Sequence, residues 1–441
     1  MTYHSTEVIE VRAWGRLVGA VALDPGTGWY AFAFADDWVT SRIELAPLHM
    51  PLRSEPYEFP NLSRDTFYGL PPMLADSLPD AFGNALVDAW MAEHGVASDE
   101  ITPLDRLAYA AHRAMGALVF RPPADGSREE PTAVQLADLV LAARRTVRGE
   151  FAGDVTAQAA LQQLIQVGTS AGGARAKAVV SFRPDTYQIR SAYDDRLPEG
   201  FEHWLIKLDG VDATGLDGHG DRLGESAPYG RIECAYAKMA TAAGVEMSRF
   251  LLLAEGPRRH FMTKRFDRGP ALDGVSERIH MISLCALAHL DYNMIATHSY
   301  DQYFDAVEAL HLGPDAMAQA YRRMVFNVAA VNHDDHTKNF AFLRRESGDW
   351  ELAPAYDVTH AYRPGSHWTS RHLMAVNGKF ADISLADLYE VGERNRVPGY
   401  MRVVREVQKA VDDWPLFAGE VELDGDTTQA IQRDLVQFRP R

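Results

Sequence analysis

One run of polar residues, Asn332 to Asn339, constrains this chain more than any other feature. It places Asp334 and Asn339 five residues apart, and Asp357 follows eighteen positions after Asn339. Phosphoryl transfer from ATP needs these groups: one carboxylate accepts the proton of the attacking hydroxyl, while an amide oxygen and a second carboxylate hold magnesium. Because Asp and Asn are also common turn residues, the spacing alone is weak evidence. Its interpretation as a phosphotransfer centre therefore depends on further kinase motifs upstream.

The composition indicates a globular protein. Of 441 residues, 46% are apolar and 24% charged, which is enough for two or three packed units. The two cysteines, Cys234 and Cys285, stand among apolar residues without metal-ligand spacing, so we expect both to be reduced in a cytoplasmic protein. No stretch reads as a signal peptide or a membrane span. The net charge of −17 argues against a broad nucleic-acid surface and suits a basic protein partner or solubility.

The chain changes character along its length. The alternation of Tyr30, Phe32 and Phe34 after a Pro-Gly turn predicts a hairpin strand, and the segment 76–95 predicts a capped helix ending at Gly95. A second amphipathic helix is predicted over 133–149. The next part of the chain is again predicted to contain strands, at 177–182, 187–190, 203–208 and 261–266. One predicted helix, 229–243, interrupts them.

Beyond Ser276 the periodicity is almost entirely helical. The exception is 340–356, where two apolar segments flank the turn residues 346–349 and predict a hairpin. The order of elements therefore predicts an α+β fold, with a strand-rich lobe followed by a helical lobe.

A glycine-rich segment, 167–177, leads straight into the strand 178–182. Glycines let backbone N–H groups turn towards one concavity, where phosphate oxygens are natural acceptors. The segment is not a Walker A loop, because the GxxxxGK[ST] spacing fails and a strand follows instead of a helix. On the loop alone, a flexible turn between subdomains is the better interpretation.

Lys207 stands inside an apolar strand, where an ammonium is costly to bury unless it meets anions. A phosphate-binding lysine on a strand after a glycine-rich loop is the kinase arrangement; a lysine that snorkels from a strand end is the alternative. Glu233, in the following helix, is a candidate to face inward and orient Lys207, although exposed helical glutamates are commoner. The segment 263–268 is the candidate linker that meets the adenine, while Phe266 is equally able to fill the core.

Two other interpretations of the 332–339 run compete with the kinase. His333, Asp334, Asp335 and His336 are all possible metal ligands, so a metal-dependent phosphohydrolase is conceivable. That scheme gives no purpose to Asn339, Asp357, Lys207 or the glycine-rich segment. A serine hydrolase is weaker still, since no GxSxG motif is present. A polar, helix-capping turn explains each motif singly, but not the order in which a two-lobed kinase needs them.

Taken together, the motifs resemble the HipA family, the serine/threonine-kinase toxins of bacterial HipB–HipA toxin–antitoxin modules. The resemblance covers nearly the whole chain and is specific because many segments carry it at once. These segments are Trp14 to Gly19, Glu44 to Pro47, Met50 to Leu52, Leu74 to Asp80, Met115 to Leu118, the glycine-rich segment, Lys207, Lys264 to Arg268, Asp334 to Asn339 and Tyr356 to Val358.

The resemblance implies a kinase that uses ATP and magnesium. Asp334 would be the catalytic base, assisted by Asn339 and Lys207, with Asn339 and Asp357 as the magnesium ligands. In the family the loop serine is autophosphorylated; it matches Ser170 here, with Thr169 as a second hydroxyl beside it. A phosphate dianion there would disrupt the turn that cradles the nucleotide phosphates. The implied nucleotide contacts are Gly172, Gly173, Ala174, Arg175, Ala176, Lys177, Lys207, Lys264, Arg265, Phe266, His336, Lys338, Asn339, Tyr356 and Asp357.

The resemblance also implies an organisation and a set of partners. We expect an N-terminal HipA subdomain over 1–120, an ATP-binding lobe over 121–268 and a helical lobe over 269–441. The expected substrate is a protein of the translation machinery, an aminoacyl-tRNA synthetase in particular. The expected partner is a HipB-like helix-turn-helix antitoxin, through which the chain reaches operator DNA. A small-molecule kinase and a catalytically silent co-repressor are the alternatives.

Overall fold

The computed structural model describes residues 5–122, 138–139, 143, 176–191, 195–211 and 228–441. The chain forms two compact units. The first comprises 1–226, 262–282 and 343–348, and the second comprises 227–261, 283–342 and 349–441. The described helices include none that is long and apolar enough to cross a membrane.

The first stretch of the chain, up to residue 122, is mixed in structure. Its strands and helices are β1 (Val8–Ala13), β2 (Arg16–Leu23), β3 (Tyr30–Phe34), α1 (Asp36–Ser41), α2 (Arg64–Phe67), α3 (Pro72–Ala75), α4 (Ala81–Glu93), α5 (Pro103–Ala110) and β4 (Val119–Arg121). The strands form an antiparallel sheet in the order β3-β2-β1-β4. Alternation in β3 buries all three of its aromatic rings, which confirms the predicted strand.

Gly19 in β2 lies opposite Phe34 in this sheet. A Cβ atom at that position would lie 2.1 Å from the carbonyl oxygen of Ala33, so only glycine lets the two strands pair this closely. This glycine ends the first of the segments that carry the family resemblance.

The helix predicted over 76–95 is α4, which begins five residues later than predicted. Pro79 restricts the residue before it and keeps 76–80 out of the helix. Asp80 then caps the helix, since its Oδ1 accepts from the Gly83 N–H at 2.7 Å. The predicted end is confirmed: Gly95 adopts the left-handed conformation, with φ of +80°. Of the helix predicted over 133–149, only residues 138, 139 and 143 lie within the described part of the chain.

The middle of the chain is strand-rich, as predicted. It contains β5 (Lys177–Arg183), β6 (Gln188–Ser191), β7 (Glu202–Lys207), α6 (Tyr229–Ala242), β8 (Phe250–Glu255), β9 (Arg258–Lys264), β10 (Arg268–Leu272), β11 (Val275–Arg278) and β12 (His280–Ser283). In the first unit β5 pairs antiparallel with both β6 and β7. Lys177 at the start of β5 lies opposite Lys207 at the end of β7.

The remainder is mainly helical and belongs almost wholly to the second unit. Its elements are α7 (Leu284–Ala288), β13 (His298–Ser299), α8 (Tyr300–Ala309), α9 (Gly313–Ala329), β14 (Ala341–Arg344), β15 (Trp350–Leu352), β16 (Met374–Ala375), α10 (Leu385–Arg394), α11 (Tyr400–Asp412), α12 (Trp414–Glu420) and α13 (Gly425–Gln437). Large aromatic side chains fill this unit's core, and Tyr236 of α6 meets Trp414 edge-to-face with ring centroids 5.3 Å apart.

Two predictions for the region beyond Ser276 have different outcomes. The hairpin in 340–356 is confirmed as β14 and β15, and the Ala353 N–H donates to the carbonyl of Ala341 at 3.0 Å. Almost everything else there was expected to be helical, and the long elements are helices, but the end of β11 and the short strands β12, β13 and β16 were not predicted. These strands have at most four residues, too few to show a period against the helices around them.

Candidate active site

The run 332–339 forms a loop that follows α9 in the second unit. The chain leaves the helix through Val331, whose φ of +55° is unusual for a β-branched residue and needs support from its surroundings. That support includes a short bridge to Ala361: the Ala361 N–H donates to the Val331 carbonyl and the His333 N–H to the Ala361 carbonyl, each at 3.2 Å. At its other end the loop closes in a single 3-10 turn, Thr337–Asn339.

Asp335 anchors the loop in the core of the unit. It is 1% exposed and accepts three hydrogen bonds. Oδ2 receives the Tyr300 hydroxyl and His372 Nδ1, both at 2.8 Å, and Oδ1 receives the Leu373 N–H at 2.7 Å. Asn327 in turn donates to the Tyr300 hydroxyl at 2.9 Å. A buried carboxylate with this many donors is satisfied and fixed, so Asp335 holds the loop in place.

Asp334 differs from its neighbour because its side chain is 37% exposed. Its Oδ1 accepts the indole N–H of Trp368 at 2.7 Å and lies 3.6 Å from His336 Nε2. Desolvation raises the pKa of Asp334, and the carboxylates of Asp357 and Asp335 raise it further, while His336 and the Trp368 hydrogen bond act in the opposite direction. A reachable carboxylate with a raised pKa is suited to accept a proton from a substrate hydroxyl.

Asn339 and Asp357 line the same cavity as Asp334, as the motif spacing predicts. The Asn339 amide nitrogen donates to the backbone carbonyl of Asp334 at 2.8 Å, so its Oδ1 remains as a ligand atom. Asp357 has a φ of +51°, a left-handed conformation that aspartate tolerates better than most residues. Amide and carboxylate oxygens are the donors that magnesium prefers, and this pair therefore fits the metal that the sequence implies.

The segment before Asp357 is fixed to the loop and to its surroundings. The Ala355 N–H donates to the Glu246 carbonyl at 2.8 Å, and the Tyr356 hydroxyl donates to the Lys338 carbonyl at 2.7 Å. Lys338 places its ammonium over the ring of Tyr292, 4.9 Å from the centroid. Tyr356 and Lys338 thus join the two halves of the site.

The histidines of the loop are buried among protein groups. Burial lowers the pKa of His333 to about 3, and its Nδ1 lies 3.0 Å from the carbonyl of Thr369. Burial also lowers the pKa of His336, which keeps its imidazole neutral at pH 7. Within the described ranges, no three His, Cys, Asp or Glu side chains are grouped so that they could hold a metal ion. The nucleotide contact predicted for His336 stays a prediction.

The first unit carries the other predicted nucleotide contacts. Lys207 is half-buried at the end of β7, Lys264 reaches Glu202 at 2.9 Å, and Phe266 is half-buried. Arg265 is buried in an ion pair with Asp267 at 2.6 Å, and the Gly116 N–H donates to the same carboxylate at 2.7 Å. Arg265 therefore has a structural partner.

Lys177 has one too. Its side chain is 3% exposed, and its ammonium lies 3.1 Å from Asp80, whose side chain is equally buried. Asp80 is the same residue that caps α4, and Ala176 beside Lys177 is fully buried. The nucleotide roles predicted for Ala176, Lys177 and Arg265 stay predictions.

Other predictions cannot be placed in the same way. Gly172 to Arg175, Thr169 and Ser170 lie outside the described residues. Glu233 is 2% exposed, so it does face the interior of its unit, and its pairing with Lys207 stays a prediction. Sequence reasoning missed Tyr300, Trp368 and His372, each more than thirty residues from the aspartate that it contacts.

Comparison with known protein families identifies the family of this chain. A family model described as the HipA-like C-terminal domain matches residues 169–414, which is more than half of the chain, and one described as the HipA N-terminal domain matches 9–121. The chain belongs to the HipA family. The membership predicted from the sequence motifs is therefore confirmed.

A solved HipA structure shows the same fold. HipA of Shewanella oneidensis MR-1, in a complex of that toxin–antitoxin system with HipB and operator DNA, aligns over 98% of this chain and 95% of its own. The TM-score is 0.63 at 15% identity, which confirms the predicted α+β fold. The proinflammatory kinase CtkA of Helicobacter pylori aligns over 54% of this chain and 91% of its own at 10% identity, but its TM-score of 0.31 is too low to indicate a shared fold.

A sequence relative bears a kinase description. The candidate kinase Y4mE of Sinorhizobium fredii (strain NBRC 101917 / NGR234) is 26% identical over 165 residues, or 35% of this chain. The chain spans 39% of that relative's length.

Proposed function

We propose that this chain is an ATP- and magnesium-dependent serine/threonine protein kinase. One observation carries the proposal: Asp334, Asn339 and Asp357 line a single cavity, and each presents the oxygen chemistry that its role needs. Asp334 is reachable and has a raised pKa, whereas the adjacent Asp335 is buried and fixed. A polar turn would not require two neighbouring carboxylates in such different environments.

The roles of the residues follow from their chemistry. Asp334 accepts the proton of the attacking hydroxyl, and Asn339 Oδ1 and the Asp357 carboxylate hold magnesium. When bound, the metal neutralises charge on the nucleotide phosphates. Lys207 supplies an ammonium for the same phosphates, and Lys264, Arg265 and Phe266 surround the adenine. His336 and Lys338 complete the nucleotide site, with Gly172 to Lys177 as its loop.

The biological setting belongs to the same proposal. The acceptor is a serine or threonine on a protein of the translation machinery, in particular an aminoacyl-tRNA synthetase. Autophosphorylation at Ser170 or Thr169 switches the kinase off, because a dianion disrupts a phosphate-binding turn. A HipB-like helix-turn-helix antitoxin neutralises the chain and brings it to operator DNA. The membership of the family supports these assignments.

Incubation of the purified full-length chain with magnesium and γ-labelled ATP tests this function. We expect label on Ser170 or Thr169, and on a protein in cell extract. Asp334→Asn should lower the initial rate by about 100-fold or more, since it removes the base. Asp357→Gln and chelation of magnesium should each abolish the label.

The same experiment distinguishes the alternatives. If neither the chain nor the extract is labelled and the chain does not bind ATP, it is not a kinase, and a co-repressor that only binds antitoxin takes its place. Label that appears only on a metabolite would identify a small-molecule kinase instead.

A further inference from the structure

Trp368 makes the closest side-chain contact to the candidate base. Its indole N–H donates to Asp334 Oδ1 at 2.7 Å, and the residue is 9% exposed. The ring packs against Tyr292 and His336, with centroid distances of 6.5 and 5.9 Å, and those two rings also contact each other at 5.4 Å. A tryptophan held on several sides has little freedom to move away from the carboxylate that it contacts.

The backbone around Trp368 is fixed to the loop that carries Asp334. The Ser366 hydroxyl accepts the N–H groups of Trp368 and Thr369 at 3.1 and 3.0 Å, which forms a tight turn. The Thr369 carbonyl contacts His333, the residue before Asp334. Further along the same segment, the His372 side chain and the Leu373 N–H bind Asp335, the residue after Asp334. The segment 366–373 is therefore tied to the loop on both sides of the base.

The indole acts on one of the two oxygens of Asp334. Oδ1 accepts the Trp368 hydrogen bond, and His336 Nε2 lies near the same oxygen. Across the ranges that the structure describes, no hydrogen bond reaches Oδ2. An indole N–H only donates and neither ionises nor accepts a proton near neutral pH, so it holds Oδ1 without competing for the substrate's proton.

We propose that Trp368 is a positioning residue for phosphoryl transfer: it holds Asp334 through Oδ1 and leaves Oδ2 to accept the substrate proton. This inference rests on the proposed kinase function. In the step, the acceptor oxygen bonds to the γ-phosphorus as its proton passes to Oδ2, and the bond from that phosphorus to the bridging oxygen breaks to release ADP. Without the indole, the carboxylate rotates among orientations, most of which do not face the hydroxyl.

Trp368→Phe in the full-length chain tests this role, because phenylalanine keeps a ring in place and removes only the N–H. Trp414→Phe is the matched control: Trp414 is buried in the same unit, and its indole N–H donates to the carbonyl of Thr428 at 3.1 Å. The readout is the initial rate of label transfer from γ-labelled ATP to the chain itself, over a range of ATP concentrations and with thermal unfolding measured in parallel.

We expect Trp368→Phe to lower the rate at saturating ATP by about 10- to 100-fold, with the KM for ATP within about twofold of the wild type. Trp414→Phe should leave both within about twofold, whatever its effect on Tm. A Trp368→Phe rate equal to or above that of the wild type would overturn the proposal, and a higher rate would show that the indole blocks the base. If the wild-type chain takes up no label, the kinase function itself fails, and the role of Trp368 fails with it.

Discussion

At the scale of single residues, the candidate site contains two adjacent aspartates in different environments. Asp334 and Asp335 are chemically identical, and the sequence supplies only their spacing to Asn339. The structure separates them by environment: Asp335 is buried under three donors, and Asp334 faces the cavity. The spacing selects Asp334 as the candidate base, and the structure shows that Asn339, five residues later, donates to the Asp334 carbonyl.

The contacts that fix these aspartates could not be read from the sequence. Tyr300, Trp368 and His372 lie between 34 and 37 residues away from them along the chain. No local pattern marks such partners, since tertiary folding alone brings them to the loop. The same holds for Lys177, whose place beside a glycine-rich segment predicts phosphate contact, while its distant partner Asp80 holds it in the core.

Asp335→Asn should destabilise the protein and leave the proposed base, Asp334, unchanged. The asparagine side chain has only one acceptor oxygen, whereas three donors now bind the two oxygens of Asp335. Its NH2 group would face at least one of these donors, so a buried hydrogen bond is lost. We expect the free energy of unfolding to fall by about 2–3 kcal/mol. Urea denaturation followed by circular dichroism measures it.

Asp334→Asn is the control for that prediction. The side chain is 37% exposed and an amide still accepts the Trp368 N–H, so the free energy of unfolding should change by less than about 1 kcal/mol. If the two variants were equally stable, Asp335 would not be the anchor of the loop.

At the scale of elements, the sequence predicted those with a strong period or a clear end signal. The alternation of β3, the hairpin of β14 and β15, and the glycine after α4 are of this kind. The hairpin of β10 and β11 was missed although its signal is present: Asp273-Gly274 both adopt positive φ, as a tight hairpin turn requires. The start of α4 was misplaced, because Pro79 and the capping Asp80 make the helix begin at Ala81.

The pair of Asp80 and Lys177 joins two elements, α4 and β5, and predicts a testable coupling. Asp80→Asn keeps the acceptor that caps α4 but leaves the Lys177 ammonium buried without its counter-charge. We expect it to cost about 3–5 kcal/mol in the free energy of unfolding. Adding Lys177→Met should recover most of that loss, since it removes the unpaired charge.

A double-mutant cycle by chemical denaturation measures this coupling. If the losses in the free energy of unfolding of the two single variants simply add in the double variant, the ion pair is contradicted. Nucleotide binding by the double variant also tests the sequence-based role of Lys177: if that residue contacts ATP, the stable double variant will bind ATP more weakly than the wild type.

At the scale of the whole molecule, the order of motifs carried the identification. Each motif alone had a plain structural explanation, and Lys177 and Arg265 each have a carboxylate partner in the structure. A glycine-rich segment, a strand lysine, a linker and a catalytic loop in succession are much less common by chance. The order also survived errors in individual strands and helices, because it does not depend on their exact bounds.

The overall charge leads to a prediction about DNA. With a net charge of −17, the chain repels a polyanion at long range, so its proposed association with an operator has to come from the antitoxin. We expect no binding of the isolated full-length chain to a labelled 30-base-pair duplex at about 10 μM protein and 150 mM salt, measured by fluorescence anisotropy. Binding tighter than about 1 μM that weakens steeply with added salt would reveal a local basic patch strong enough to override the net charge. The chain would then contribute its own phosphate contacts to the operator complex, and the antitoxin would no longer account for DNA binding by itself.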